Sequence, residues 1–320
     1  MNIMMPCTKF LSMPVFMLLF TYLSACSTTN EVKNREPATQ DYSLKVATAT
    51  PVVASMAKEL TDNTPISIVY LPPKHYSIKR IPAWLKRQNI DSYPSVDAVA
   101  GISSVWPQVS IYPILRSHNI GVIPIDMANA YMPGGERVAI TPPSSSAVSY
   151  AQRYFWLNPA NALIMVGILH RDLTSVVQQS NADRQQKHRI TEQLSVNLTH
   201  ITKSLRTSQL TLDQALVAKD IMQVAVSTPE LSEIGAASLL PLFPLEDIKA
   251  SDFPGLFITH KKRGHRSLRE LPPHILVWHI DDFTKNKGPR FTKRWKIMIQ
   301  SLVDAQAIGE INGATNGAMK

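Results

Sequence analysis

Short apolar runs alternate with amphipathic stretches in the part of the chain that follows residue 42. The apolar runs are rich in β-branched residues and predict strands at residues 44–50, 66–71, 96–100 and 121–126. Helical spacing predicts helices at residues 52–60, where Pro51 suits the first turn, and at Tyr112–His118. Strands that alternate with helices favour a parallel sheet flanked by helices. Residues 131–146, rich in Pro, Gly and Ser, indicate a long loop.

A helical period begins at residue 158. Asn158-Pro159 is a helix start signal, and apolar residues at helical spacing continue through 160–177 and again through 182–205. We therefore predict a helical spine at residues 158–208. Short apolar runs return at residues 221–227, 256–259 and 274–279, with a weaker run near 239–242. An amphipathic helix is predicted at residues 291–307.

Together these patterns predict the α/β class, with two lobes that each contain a short parallel sheet flanked by helices. The N-terminal lobe covers residues 43–157, and the spine joins it to a C-terminal lobe at residues 209–320. Ligand sites in such folds favour lobe interfaces and the carboxyl ends of strands. We therefore expect a ligand cleft between the lobes.

The N-terminus has the organisation of a secretory signal. Lys9 precedes an apolar run of 13 residues, 10–22, and Leu23-Ser24-Ala25-Cys26 follows. The run is shorter than the roughly 20 residues that a membrane span needs. A cysteine directly after small residues is typical of a lipoprotein, so we predict a signal peptide at 1–25, lipidation of Cys26 and a flexible tether at 26–42. The alternative is an ordinary cleaved signal with a chance cysteine.

The predicted anchor places the protein in the cell envelope, outside the cytoplasm, on the periplasmic side or the outer surface. With 44% hydrophobic and 18% charged residues, the chain can build a packed core. Its net charge of +9 is concentrated in residues 261–296, which hold eleven Lys and Arg against three acids. We call residues 261–296 the basic segment. It suits an anionic partner, although nucleic acid is disfavoured outside the cytoplasm, and a merely solvated basic surface is the alternative.

Motifs of enzymes are not found in the sequence. There is no Gly-x-Ser-x-Gly elbow, His-Glu-x-x-His helix, Walker A loop or Gly-x-Gly-x-x-Gly turn. Cys7 would leave with the signal peptide and Cys26 would carry lipid, so neither is a candidate nucleophile. We predict a protein that is not an enzyme and has no catalytic cofactor.

Several stretches, taken in order, resemble the zinc- and manganese-type solute-binding lipoproteins of ABC importers. The first strand, first helix and second strand ending in Leu71-Pro-Pro form one such stretch. Ser104-Val-Trp-Pro resembles a divergent branch of that family, and Phe155-Trp-Leu-Asn-Pro resembles the segment that leads into its long helix. The resemblance implies a receptor that captures a divalent metal, or a metal complex, and delivers it to a permease in the inner or plasma membrane.

The resemblance also implies three or four His, Asp or Glu ligands in the cleft, because such cations bind imidazole and carboxylate at short, fixed distances. His75 lies in the loop after the two prolines, and His279 and Asp281 lie at the end of a late strand. Glu230 follows the first strand of the second lobe. We predict His75 and His279 as the strongest metal ligands, facing each other across the cleft, with Glu230 and Asp281 next.

The sequence departs from the family at the second ligand. Two residues before Trp156-Leu the family places a histidine, and here the residue is Tyr154. A neutral phenol is a poor metal ligand at neutral pH. We therefore expect Tyr154, with Arg153 and Trp156, to form a wall of the cleft.

Three functions follow from these observations. The first is the metal receptor that the resemblance implies. The second is a binding protein for an anionic or chelated ligand, held by Arg153 or by Lys74, Lys79 and Arg80 beside His75. The third is a lipoprotein that kept the receptor fold, lost metal capture and acts as a docking or scaffold protein through its basic segment.

Overall fold

The computed structural model describes residues 42–88, 93–140, 153–260, 268 and 271–305. The predicted signal peptide, Cys26 and nearly all of the tether lie outside the described residues. So do part of the predicted long loop (141–146) and part of the basic segment (261–267 and 269–270).

The first lobe contains a parallel sheet of four strands. Its strands are β1 (Leu44–Thr48), β2 (Ile66–Tyr70), β3 (Ala98–Gly101) and β4 (Ile123–Asp126), in the order β2-β1-β3-β4. Four of the five residues of β1 are buried, as expected for a strand with neighbours on both sides and helices packed near it. Each predicted strand of this lobe is confirmed, with ends shifted by up to two residues.

Three helices accompany this sheet. They are α1 (Pro51–Leu60), α2 (Ile81–Leu85) and α3 (Tyr112–His118). Helix α1 begins at a proline, which has no amide hydrogen to lose in the first turn, and only Lys58 of its ten residues is not buried. It is therefore a central core helix rather than a surface one.

The spine consists of α4 (Pro159–Gln179) and α5 (Arg184–Ala218), which pack against each other. The side chain of Asn158 caps α4 by accepting from the amide of Ala160 (3.0 Å), and Asp183 and Gln186 form a capping box at the start of α5. Helix α5 extends beyond the predicted end at residue 208. Its buried stripe continues through Leu212, Ala215 and Leu216, and the sequence prediction had ended this stripe too early.

Helix α4 is long and apolar enough to cross a membrane by length and composition alone. Half of its most apolar window is nevertheless buried inside the protein. It packs against α1, α5 and β4. These contacts account for its apolar residues as those of a core helix.

The second lobe contains a parallel sheet of three strands, β5 (Gln223–Val226), β6 (Gly255–Thr259) and β7 (Ile275–His279), in that order. Its helices are α6 (Ser232–Ala237), α7 (Leu245–Ala250) and α8 (Phe291–Val303). Neither α6 nor α7 was predicted. The weak strand predicted near 239–242 is wrong: Leu239 has a φ of 58° and is 88% exposed, and Leu242 makes only an isolated bridge to Val224.

The two lobes share one core and are joined by hydrogen bonds. Helix α8 packs on both α5 and α1. The buried Glu59 of α1 accepts from the amide (2.9 Å) and the hydroxyl of Thr292, at the start of α8. The amide of Ile78 donates to the carbonyl of Thr284 (2.8 Å). The predicted fold class, two α/β lobes with short parallel sheets joined by a long helical spine, is confirmed.

Candidate ligand cleft

A cleft of about 800 Å³ lies between the lobes. Ser77, Lys79 and Tyr154 line it from the first lobe, and residues of the second lobe form the rest of its wall. The second-lobe residues are His260, His279, Ile280, Asp281, Asp282, Thr284, Lys285, Lys287, Pro289, Arg294, Ile297, Met298 and Ser301. The cleft thus lies at the carboxyl ends of β6 and β7, where parallel sheets commonly bind ligands.

The strand register brings two histidines to this edge. Thr259 and His279 are partners across β6 and β7, and His260 follows Thr259 directly. Because the two strands are parallel and in register, their ends lie side by side. The predicted ligand His279 therefore lines the cleft, as does His260, which directly precedes the basic segment.

Asp281 also lines the cleft, but both its oxygens bind Arg294. The guanidinium donates through Nε and Nη2 to the two carboxylate oxygens, at 2.7 Å each. Oδ1 of Asp281 also accepts from the amide of Phe283 (3.0 Å). Burial alone would raise the pKa of Asp281, but the hydrogen bonds and charge of Arg294 outweigh it and lower the pKa below 3.8. Asp281 is thus ionised and already paired.

Asp282 is also engaged within the protein. Its Oδ1 accepts from the amide (3.0 Å) and the hydroxyl (2.7 Å) of Thr284. Its carbonyl accepts from the indole Nε1 of Trp156 (3.0 Å). Such side-chain bonds to residues two positions ahead are typical of tight turns. Asp281 and Asp282 together shape the segment that follows β7.

Glu230 forms an ion pair across the lobes with Lys79. It lies in a 3-10 turn, Pro229–Leu231, and its Oε1 is 2.6 Å from Nζ of Lys79. Burial raises the pKa of Glu230, but the hydrogen bond from Lys79 is among the contacts that outweigh this and lower it below its ordinary value. Glu230 is not among the residues that line the cleft. Its negative charge is paired with the positive charge of Lys79.

Of the three predicted wall residues, only Tyr154 lines the cleft. Its ring stacks on Trp156 with centroids 5.1 Å apart, and Trp156 is completely buried. Burial, together with the charges of Asp282 and Glu230, raises the pKa of Tyr154. The phenol therefore stays protonated at neutral pH.

Arg153, the third predicted wall residue, is 4% exposed. Its Nη1 lies 3.7 Å from Oε1 of Glu233, which is itself 1% exposed. This pair is buried, and neither residue is among those that line the cleft. An anion in the cleft would therefore have to be held by other cations.

His75 precedes the cleft residue Ser77 by two positions, but His75 is not among the residues that line the cleft. Its side chain is exposed, and its ring meets the ring of Tyr76 edge to face at 4.8 Å. Two residues later, Ser77 forms an antiparallel bridge with Lys285 at the seam between lobes. The predicted ligands are thus only partly brought together: His279 and Asp281 share the cleft, while His75 and Glu230 lie beside it.

A ready-made metal centre is not found in the part of the chain that the structure describes. Within it, no group of three or more His, Cys, Asp or Glu side chains is arranged to hold a metal ion. Sequence reasoning missed Arg294 and Lys285 as cleft residues. Both residues belong to the basic segment, but the sequence does not show whether the charges of that segment lie in the cleft or on the outer surface.

Comparisons with known proteins give a fold likeness. No protein-family model matches the sequence, and no curated protein matches it. Among solved structures, a zinc-bound mutant variant of AdcAII from Streptococcus pneumoniae is 11% identical with a TM-score of 0.56, covering 82% of this chain and 98% of its own.

Two further solved structures share the fold. FpvC from Pseudomonas aeruginosa in complex with Mn²⁺ is 12% identical with a TM-score of 0.52, covering 82% of this chain and 96% of its own. A manganese-bound mutant of a periplasmic metal-binding protein from Candidatus Liberibacter asiaticus is 9% identical with a TM-score of 0.53, covering 82% and 99%. At these identities the likeness concerns the fold.

Proposed function

We propose that this protein is the extracytoplasmic solute-binding lipoprotein of an ABC importer. It binds its solute in the cleft between the lobes and delivers it to a permease in the inner or plasma membrane. The observation that carries the proposal is the two-lobed fold with its interlobe cleft, since structures with this fold were solved with zinc or manganese bound. It performs no chemistry on the solute, and the lipid on Cys26 holds it at the membrane.

The proposed solute is a divalent metal of the zinc or manganese type, and the geometry favours a metal complex over the bare ion. A bare ion needs several converging ligands, whereas Asp281 is paired with Arg294 and Glu230 with Lys79. Of the two predicted histidine ligands, only His279 lines the cleft. Clefts of 300–1,000 Å³ commonly hold small molecules, and this one is in that range.

Thermal unfolding of the chelator-stripped full-length protein tests metal capture. Zinc, manganese or their complexes, added at about 100 times the dissociation constant, should stabilise the folded state by about 2.7 kcal/mol. His279→Ala should reduce the stabilisation. His118→Ala, which alters an exposed histidine of α3 outside the cleft, should not. The absence of any stabilisation by ions and complexes would contradict the proposal.

Delivery and anchoring require cellular assays. Metal accumulation should fall in cells that lack the protein and return with the wild-type chain. Cys26→Ser should abolish incorporation of labelled fatty acid and release the protein from membranes. If the serine variant remains equally membrane-bound, the predicted anchor is wrong.

The docking alternative has one structural observation in its favour. The described part of the basic segment exposes Lys285, Lys287, Lys293 and Lys296. An acidic partner captured through this surface would be lost when these lysines are reversed to glutamate, with no change in solute uptake. Loss of uptake without loss of a partner would support the receptor function.

A further inference from the structure

We infer that the cleft selects a small organic polyanion, bound either free or as its chelate with a divalent metal. The inference rests on the proposed function in one respect: that the interlobe cleft is the solute site. It adds the charge class of the solute and the side chains that recognise it, Lys285 and Lys287. A bare cation would be a poor occupant of this cleft.

The charges around the cleft are unequal. Of the described residues, four cations line it, namely Lys79, Lys285, Lys287 and Arg294, against the two carboxylates of Asp281 and Asp282. Arg294 neutralises Asp281, and Glu230 offsets Lys79. In the part of the chain that the structure describes, neither Lys285 nor Lys287 lies within ion-pair distance of a carboxylate, although Lys287 is near enough to Asp281 to help lower its pKa. Asp282 offsets one of the two lysine charges, and one positive charge remains in excess for a ligand.

The segment that carries these lysines is held in place before any ligand arrives. The bridge between Ser77 and Lys285 fixes its backbone to the opposite lobe. The amide of Lys287 donates to the carbonyl of Lys285 (3.0 Å), and Gly288 continues the turn with a φ of 79°. A backbone ordered in advance lowers the entropy cost of ligand binding.

Arg294 adds a buried hydrogen-bond donor to the same wall. Two of its nitrogens bind Asp281, while Nη1 is buried and has no acceptor in the part of the chain that the structure describes. Buried charged groups normally have all their hydrogen bonds satisfied. Since Asp281 already neutralises the charge of Arg294, Nη1 contributes an unsatisfied N–H donor, which favours an occupant with acceptor oxygens.

The size of the cleft argues for an organic molecule. A metal ion with its protein ligands occupies a small fraction of 800 Å³, whereas a multivalent carboxylate or its chelate fits such a volume. A chelate also brings its own donors to the metal, which the cleft does not supply as a complete set. His260 and His279 line the same cleft, and histidine is a common metal ligand in proteins.

Titration calorimetry on the purified full-length protein in detergent tests this inference, with citrate, zinc citrate and zinc chloride as the three probes. We expect citrate, zinc citrate or both to bind, and zinc alone to bind more weakly. The double variant Lys285→Gln/Lys287→Gln should weaken binding about five- to tenfold, since two exposed charge contacts are lost. Binding should also weaken as salt is raised.

The matched control is Lys58→Gln/Lys86→Gln, which removes two exposed lysines outside the cleft. This variant should bind like the wild type, and both double variants should keep the melting temperature of the wild type. Preference for citrate over its zinc chelate would identify the free polyanion as the solute, and the reverse preference would identify the chelate. Zinc binding alone as tightly as zinc citrate, no binding of either citrate form, or indifference to Lys285 and Lys287 would overturn the inference.

The binding and uptake assays together distinguish failure of the proposed function from failure of the polyanion inference. If citrate binding depends on the two lysines but solute uptake by cells does not depend on the protein, the delivery role fails and the charge class of the ligand stands. If uptake depends on the protein but Lys285→Gln/Lys287→Gln leaves both uptake and binding unchanged, the delivery role stands and the polyanion inference fails.

Discussion

The pair between Asp281 and Arg294 should be asymmetric in what each partner contributes to stability. The side chain of Arg294 is 3% exposed, whereas that of Asp281 is 33% exposed. Asp281→Asn leaves a buried guanidinium without its counter-charge, a change that costs about 3 kcal/mol. Arg294→Met leaves a carboxylate that water can reach, and it keeps an apolar stem over the ring of Phe283, so we expect a cost of about 1–2 kcal/mol.

Thermal and urea unfolding of the two single variants and the double variant measure this asymmetry. For a protein of this size 1 kcal/mol corresponds to about 2–4 °C, so Asp281→Asn should lower the melting temperature by about 6–12 °C. The double variant should cost less than the sum of the single ones, because the second change removes the charge that the first left unpaired. Additive costs, or a larger cost for Arg294→Met, would refute the reasoning.

The same pair predicts a pH dependence. The folded pKa of Asp281 lies below its ordinary value of 3.8, so the stabilisation is present above pH 3.8 and is lost as the pH falls through the folded pKa. Asp281→Asn should therefore flatten the stability profile in this acid range. An unchanged profile would show that Asp281 does not contribute to acid unfolding.

Three further changes test other parts of the structure. Glu59→Ala removes the acceptor of two hydrogen bonds from Thr292 and should lower the free energy of unfolding, measured in urea, by about 2–3 kcal/mol. Trp156→Phe removes the bond to the carbonyl of Asp282 and should cost about 1–2 kcal/mol in the same assay. Burial lowers the pKa of His170 below 6.5, so stability should decline as the pH falls below 6.5, and His170→Gln should lessen that decline. Full wild-type stability in either of the first two variants, or an unchanged slope in the third, would contradict the contact concerned.

The fold could be predicted largely because its elements carry local signals. The strand β1 and the helix α1 are adjacent, and Pro51 marks the boundary between them. The start of α4 is likewise marked locally, by the capping residue Asn158 and by Pro159 in the first turn. The sequence was less informative about short helices. Helices α6 and α7 have six residues each, and such a length is too short to show a helical period of apolar residues.

The candidate site could be predicted in location but not in chemistry. That His279 and Asp281 lie at a strand end follows from the sequence, and both line the cleft. Whether a carboxylate is available to a metal depends on its neighbours in space. The partner of Asp281 lies on the following helix, and Lys79, the partner of Glu230, lies in the other lobe, far away in the sequence. No periodicity or motif connects such residues.

These ion pairs affect both the metal ligands that the resemblance implies and the positive charge of the cleft. A metal that recruited Asp281 would have to displace Arg294, and a penalty of about 2 kcal/mol would weaken its binding roughly 30-fold. Tyr154, protonated at neutral pH, offers no compensating ligand where the resemblance expects a histidine. The pairs of Asp281 with Arg294 and of Glu230 with Lys79 each cancel one negative and one positive charge, so Lys285 and Lys287 outnumber the remaining carboxylate, Asp282. The same residues that disfavour a bare cation therefore favour an anion, and a metal would bind best when it arrives with anionic donors of its own.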